Sequence, residues 1–336
     1  MRNLGLHIII FTFWASLSYA QDLHYSQFYN SPLNISPALT GIFNGDKRVA
    51  LSARDQWRSV PVPWLTFSGS YDQKFYKKNR NKNFFGGGVL FNYDRQGDSK
   101  ITLMNVALTG TYNHILTKKN ILTLGAGLGY ASRGFNQTSL SWDKQWNGDS
   151  FDPSLPSGEN ITGDMISMVE TNLGVNYRFQ EHDREHYDFG IAVHHILQPS
   201  ARFSTNGFPI SLPRRYSGYA MASFPVFDNL NVDLSFLHQS QNSYNETLFG
   251  ALVNLYVNRQ RGKETNLHVG VGYRTSESLF PKVAIEYGPY YVGLSYDVDL
   301  SRFNTATDNK GGPELHFKYT IKSVKPLGLF KACPIF

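Results

Sequence analysis

The stretch from Lys100 to Gly134 constrains this chain more than any other. In its first half Met104, Val106, Leu108, Gly110 and Tyr112 fall on one face. Asn105, Ala107, Thr109, Thr111 and Asn113 fall on the other. Thr117 to Asn120 turns the chain. Leu122, Leu124, Ala126, Leu128 and Tyr130 then alternate with Thr123, Gly125, Gly127, Gly129 and Ala131. A sustained period of two is the mark of a β-strand, whose successive side chains point to opposite faces. The composition of the second face narrows the choice. A soluble sandwich turns that face to bulk water and usually arms it with Lys and Glu. A face of Asn, Thr, Gly and Ala suits the crowded, wet lumen of a closed barrel, with the apolar face toward lipid.

The remaining composition agrees. Charged residues make up 17% of the 336, against about a quarter in ordinary soluble domains. Aromatic residues reach 15% and glycines number 29, as interfacial girdles and a crowded lumen require. The mean hydropathy of −0.33 excludes a helical membrane protein but not a barrel, which shows only alternate residues to lipid. The net charge of +6 comes with no nucleic-acid-binding signature, so no nucleic acid partner is expected. Cys333 is the single cysteine, so no intrachain disulfide is possible.

Residues 1–20 read as a secretory signal peptide: Arg2 supplies the charge, Leu6 to Leu17 the apolar run and Ser18-Tyr-Ala20 the cleavage site. Residues 21–46 do not alternate, and their prolines and Gly41 exclude a regular strand. Their aromatics point to a packed segment at the periplasmic mouth or inside the lumen. Strands are expected at 47–57, 63–76, 83–95, 100–117, 119–135, 164–180, 185–197, 213–226, 229–240, 244–258, 264–275, 279–288, 289–300 and 312–323. The expected fold is thus all-β, a transmembrane outer-membrane antiparallel barrel of about fourteen strands over 47–323. A periplasmic tail, 324–336, follows. The longest connections, about 136–163 and 198–212, are the fifth and seventh, so both fall on the outer side, as 301–311 does. The inner turns are brief, which is the asymmetry of bacterial outer-membrane barrels.

Short motifs at both ends carry a resemblance. His24-Tyr25-Ser26-Gln27-Phe28-Tyr29 is followed by Ser36-Pro37-Ala38-Leu39-Thr40-Gly41 and by a strand ending Arg54-Asp55-Gln56-Trp57. Near the far end stand Leu294-Ser295-Tyr296-Asp297, Gly311-Gly312-Pro313-Glu314-Leu315 and Cys333-Pro334-Ile335-Phe336. Together they resemble the PorP/SprF family of outer-membrane proteins from Bacteroidetes. Ser36 departs from the asparagine expected before Pro37. The resemblance implies a part in type IX secretion and gliding motility: coupling to periplasmic ring components, or binding a secreted adhesin or other cargo through its C-terminal sorting domain for export and surface attachment. A porin or small-solute transporter is the alternative of another class.

No catalytic motif, cofactor-binding pattern or metal-ligand spacing is present, so the expectation is a non-enzymatic protein without cofactor. His194-His195 on one strand would face opposite ways, one into the lumen and one to the interface. The loop Phe135 to Gly163 offers Trp142, Trp146 and Phe151 among acids and amides, a pattern typical of binding hot spots. It reads equally as a partner site or as a plug packing its own rings. The inner turns are basic, at Lys74, Lys77, Lys78, Arg80, Lys82, Lys118, Lys119, Arg259, Arg261 and Lys263. They read as a rim for a periplasmic partner or as ordinary solvated turns. Arg54, Arg178, Arg215, Asp233, Arg274, Glu286, Glu314 and Lys318 should pair across the lumen, since unpaired charges there are costly.

Overall fold

The computed structural model describes residues 22–322 apart from 59, 61–62, 77–82, 98, 137–139, 160–164, 204–209, 261 and 303. The expected signal peptide, the tail with Cys333, and the basic turn residues Lys77, Lys78, Arg80, Lys82 and Arg261 lie outside the described residues. Fourteen antiparallel strands form one closed barrel: β1 (Lys47–Gln56), β2 (Trp64–Tyr76), β3 (Phe84–Gln96), β4 (Ile101–Ile115), β5 (Asn120–Gly134), β6 (Met165–His182), β7 (Glu185–His194), β8 (Arg215–Phe227), β9 (Leu230–Gln241), β10 (Tyr244–Asn258), β11 (Thr265–Arg274), β12 (Ser278–Tyr287), β13 (Tyr290–Asp299) and β14 (Lys310–Ile321). Each pairs with its sequence neighbours, and β1 closes on β14 with Arg54 opposite Glu314. The long connections β5–β6, β7–β8 and β13–β14 share one end, which defines the outer mouth.

The alternation read from residues 101–134 holds. Val106, Leu108, Leu124, Leu128 and Tyr130 stand on the outside, while Asn105, Thr111, Asn113 and Thr123 are buried within. Outward Leu, Val and Ile recur around the wall, flanked by rings such as Phe75, Phe85, Tyr216 and Tyr287. That is the surface a bilayer solvates. Among the described residues no helix is long and apolar enough to cross a membrane.

The lumen is filled. Residues 22–46 run its whole length as an irregular rod: a 3-10 turn Phe28–Asn30, a short helix α1 (Pro32–Ile35) and a second 3-10 turn Pro37–Leu39. Asp22 reaches His195 just beyond the outer end of β7, whereas Asn44 bonds Gln180 and the carbonyl of Asp183 at the inner turn β6–β7. The rod has two unlike sides. Phe28, Ile35, Leu39 and Ile42 form an apolar core with Tyr219, Leu237, Leu248 and Phe280 of the wall. On the other side Leu33 makes a smaller apolar contact with Leu90 and Ala107, and hydrogen bonds tie the rest: Thr40 Oγ1 donates to Thr109 Oγ1 at 2.8 Å, Thr111 Oγ1 donates to Thr40 O at 2.9 Å, and Gly41 N donates to Asp72 Oδ2 at 2.7 Å.

This rod explains the small residues that first marked the lumen face. At Gly125 a Cβ would lie 2.4 Å from the backbone nitrogen of Ala38, so only glycine lets the rod lie against β5. The short second helix α2 (Asn304–Thr307) lies in the β13–β14 connection, where buried Thr307 Oγ1 donates to Asp299 Oδ2 at 2.9 Å.

Candidate functional site

The motif residues from the two ends of the sequence meet in the lumen. Arg54, on β1, places NH2 2.7 Å from Asp297 Oδ2 on β13 and Nε 3.7 Å from Glu314 Oε2 on β14. All three side chains are almost wholly buried. The rod joins them: Ser26 N and Gln27 N donate to the two oxygens of Glu314 at 2.8 and 2.7 Å, and Ser26 Oγ donates to Asp297 Oδ2 at 2.7 Å. Arg54 NH1 donates to the carbonyl of His24 at 2.9 Å, and the Tyr25 ring packs edge-on to His316 at 5.9 Å. Such a carboxylate, fixed by two backbone N–H groups and a guanidinium, is the satisfied form of a buried charge. Gln56 is buried near the end of β1. Trp57 turns with φ of 56°, donates its N–H to Gly311 O at 2.7 Å and packs on Trp64. Gly41 uses φ of 76° to turn its N–H toward Asp72, and Pro37 opens the second 3-10 turn. Of the motif set, Cys333 to Phe336 lie outside the described residues.

A second cluster latches the rod at the outer mouth. Asp22 lies 2.6 Å from His195 Nε2 and 3.2 Å from Arg215 NH1, with Glu170 3.7 Å from His195 Nδ1. Burial alone would raise the Asp22 carboxyl, but the charges of His195 and Arg215 outweigh it and hold Asp22 well below the usual range. Burial likewise opposes the charged His195, yet Asp22 and Glu170 raise its pKa. The expectation of an interfacial histidine beside a lumen histidine is therefore corrected. His194 bonds the carbonyl of Ile35, and His195 is also buried because a left-handed φ of 56° swings it back into the mouth. Strand alternation ends at His194, so its rule no longer applied to the next residue.

The other expected lumen charges pair, with one exception. Arg178 meets Asp188, Arg274 meets Glu246 and Glu277, and His268 lies between Asp233 and Glu286. Lys318 instead stands 4.0 Å over the Tyr291 ring. Lys74, read as a turn residue, belongs to β2 and bonds the carbonyl of Phe43. Among the described residues no group of three or more metal-ligating side chains is placed to hold an ion.

The outer loop between β5 and β6 takes the opposite course to the rod. Its tip is ordered by its own backbone. A 3-10 turn Asp143–Gln145 is followed by an antiparallel bridge between Trp146 and Phe151, and Asn147 Oδ1 accepts from Asp149 N and Ser150 N. Gln145 is buried and braces the tip by donating to Leu155 O and accepting from Trp142 N. The two bridged rings are left outside: Trp146 is 57% exposed and Phe151 46%, while Trp142 is half-buried. The residues of the latch that the sequence did not single out are Asp22 and Glu170; His195 was named but placed wrongly. Asp22 abuts the His24 motif, the one signal that could have drawn it in.

A family model described as type IX secretion system membrane protein PorP/SprF matches residues 17–319. The chain belongs to the PorP/SprF family. It is an outer-membrane β-barrel, and neither the family nor the fold is that of an enzyme class. A search of curated proteins finds no match. Among solved structures, the toluene transporter TbuX of Ralstonia pickettii is similar at 11% identity and a TM-score of 0.51, covering 87% of this chain and 94% of its own. A deletion mutant of the monoaromatic hydrocarbon channel TodX is similar at 9% identity and a TM-score of 0.51, covering 86% and 93%. At such identities the likeness concerns the fold alone.

Proposed function

We propose that this PorP/SprF protein is a non-enzymatic accessory barrel of type IX secretion that binds a secreted adhesin or other cargo, through its C-terminal sorting domain, with its outer loops. The observation that carries this reading is the pair of exposed rings, Trp146 and Phe151, held on a self-braced tip. Large rings fixed before binding give contact area at little entropic cost, which is how a few aromatic anchors come to dominate an interface. The barrel beneath supplies the rigid base. A porin would need an open path, and among the described residues the segment 22–46 and its ion pairs occupy the lumen, with small cavities of about 40 and 20 Å³ between rod and wall.

The test is affinity capture of the detergent-solubilised protein from its native envelope. Recovery of a secreted protein with a C-terminal sorting domain, and its loss on Trp146→Ala with Phe151→Ala, supports the reading. Equal recovery by the double variant sinks it.

A further inference from the structure

The inner mouth holds a pocket of about 280 Å³, framed by the end of the rod and the inner ends of β2, β3, β5 and β6. Three cations line it, Lys74, Arg178 and Lys322, against one acid, Asp183. The neutral polar groups of the rim are already engaged with each other. Asn44 donates to Asp183 O at 2.9 Å and Gln180 donates to Asn44 Oδ1 at 3.1 Å. Lys74 Nζ also donates to the carbonyl of Phe43, and the three cations outnumber the one acid.

Two details point to a ligand. Arg178 is 5% exposed, its ion contact with Asp188 is a loose 3.5 Å, and its Nε has no hydrogen-bond partner. A buried guanidinium N–H without an acceptor is costly, at about 1–3 kcal/mol or more. A carboxylate matches that fork in shape and charge. The second detail is apolar. Phe43, Phe84 and Ile121 share the lining, and Lys74 Nζ stands 5.0 and 5.8 Å over the two phenylalanine rings. A bare inorganic anion has no use for such a collar, whereas the residues flanking an acidic side chain in a peptide do. The exposed turn residues Lys118, Arg259 and Lys263 add positive potential around the same end, which would draw an acidic segment in.

We propose that this pocket is a docking site for a single Asp or Glu side chain on a peptide segment of a periplasmic partner, its carboxylate held by Arg178 and Lys74 at the rim that Lys322 completes. The site is at the opposite end of the barrel from Trp146 and does not depend on the cargo reading.

The test uses the full chain in detergent micelles and a fluorescein-labelled heptapeptide with one central glutamate between two phenylalanines. Its twin carries glutamine instead. Fluorescence anisotropy should show the glutamate peptide binding about tenfold or more tighter, the factor that about 1.4 kcal/mol of charge-assisted bonding gives. Lys74→Gln and Lys322→Gln should each erase most of that difference, and Lys263→Gln, outside the pocket, should reduce it only slightly. Should Lys74→Gln disturb folding through its bond to the rod, the exposed Lys322 still provides the readout. Equal binding of the two peptides overturns the proposal, as does an equal loss on Lys263→Gln. Binding of inorganic phosphate without binding of the peptide also overturns it, since that would be a free-anion site. Trp146→Ala should not alter any of these results.

Discussion

The rod of residues 22–46 and the outer loop between β5 and β6 are both irregular, both carry prolines and both are rich in rings, yet they end in opposite environments. Phe28 of the rod is 4% exposed and Trp146 of the loop 57%. The difference lies in what surrounds each backbone. The rod finds carboxylates and hydroxyls of the wall waiting for several of its N–H and C=O groups, so its backbone can be buried there. The loop satisfies its backbone locally, within a few residues of the bridge, and therefore needs no wall. A segment that meets its own hydrogen-bond needs is free to present its rings to something else.

The contrast can be broken most strongly at Arg54. Arg54→Ala leaves Asp297 and Glu314 buried without their cation, which should lower stability by about 3–5 kcal/mol. Urea unfolding in micelles measures this, and limited proteolysis should find the rod newly cleavable. An unchanged midpoint would mean that the rod is held by its apolar side alone. In the loop, Trp146→Ala should leave that midpoint within about 0.5 kcal/mol. Cargo affinity should fall by about 2 kcal/mol, or roughly thirtyfold. A stability loss of the Arg54 kind would show instead that the loop is part of the plug.

A smaller effect separates two glycines. Gly125→Ala forces its methyl into the backbone of Ala38 and should cost about 1–3 kcal/mol, with faster amide exchange in the rod. Gly110→Ala, on the lipid side of β4 with nothing within 4 Å, should be close to neutral. Equal effects would deny the close approach of the rod.

The smallest effect is the pH response of the latch. Asp22 has a lowered pKa, so its contribution is present above the unfolded value of about 3.9 and is lost as pH falls from there through the folded value. His195 has a raised pKa, so its contribution is present below about 6.5 and is lost as pH rises through the folded value. Amide protection at residues 22–26, taken relative to intrinsic exchange at each pH, should therefore be greatest between about 4 and 6.5 and fall on either side. His195→Gln should abolish the alkaline limb and weaken the acid one; persistence of the alkaline limb would assign it to another group.

The wall was legible because lipid and lumen impose a two-residue period that survives in every strand, and each observed strand end lies within three residues of its expectation. The parity of the long connections was legible for the same reason. The path of the rod was not, since a segment satisfied by side chains distant in sequence carries no period of its own. Its motif residues could be seen, but not that Ser26 and Gln27 reach across to Glu314. His195 was misplaced because a positive φ at a histidine leaves no trace in composition. The fate of the loop turned on Gln145, a single inward amide that braces the tip and leaves Trp146 and Phe151 outside.

One consequence concerns the order of assembly. The segment traverses the cylinder from outer to inner mouth before it becomes β1, and its charged Asp22 sits at the far end. Pulling that carboxylate through a finished, tightly filled tube would strip it of every partner on the way. The sheet must instead wrap around the segment as around a mandrel. At the seam where β1 meets β14, Arg54 faces Glu314, so the ion pair that fixes the segment also joins the first strand to the last.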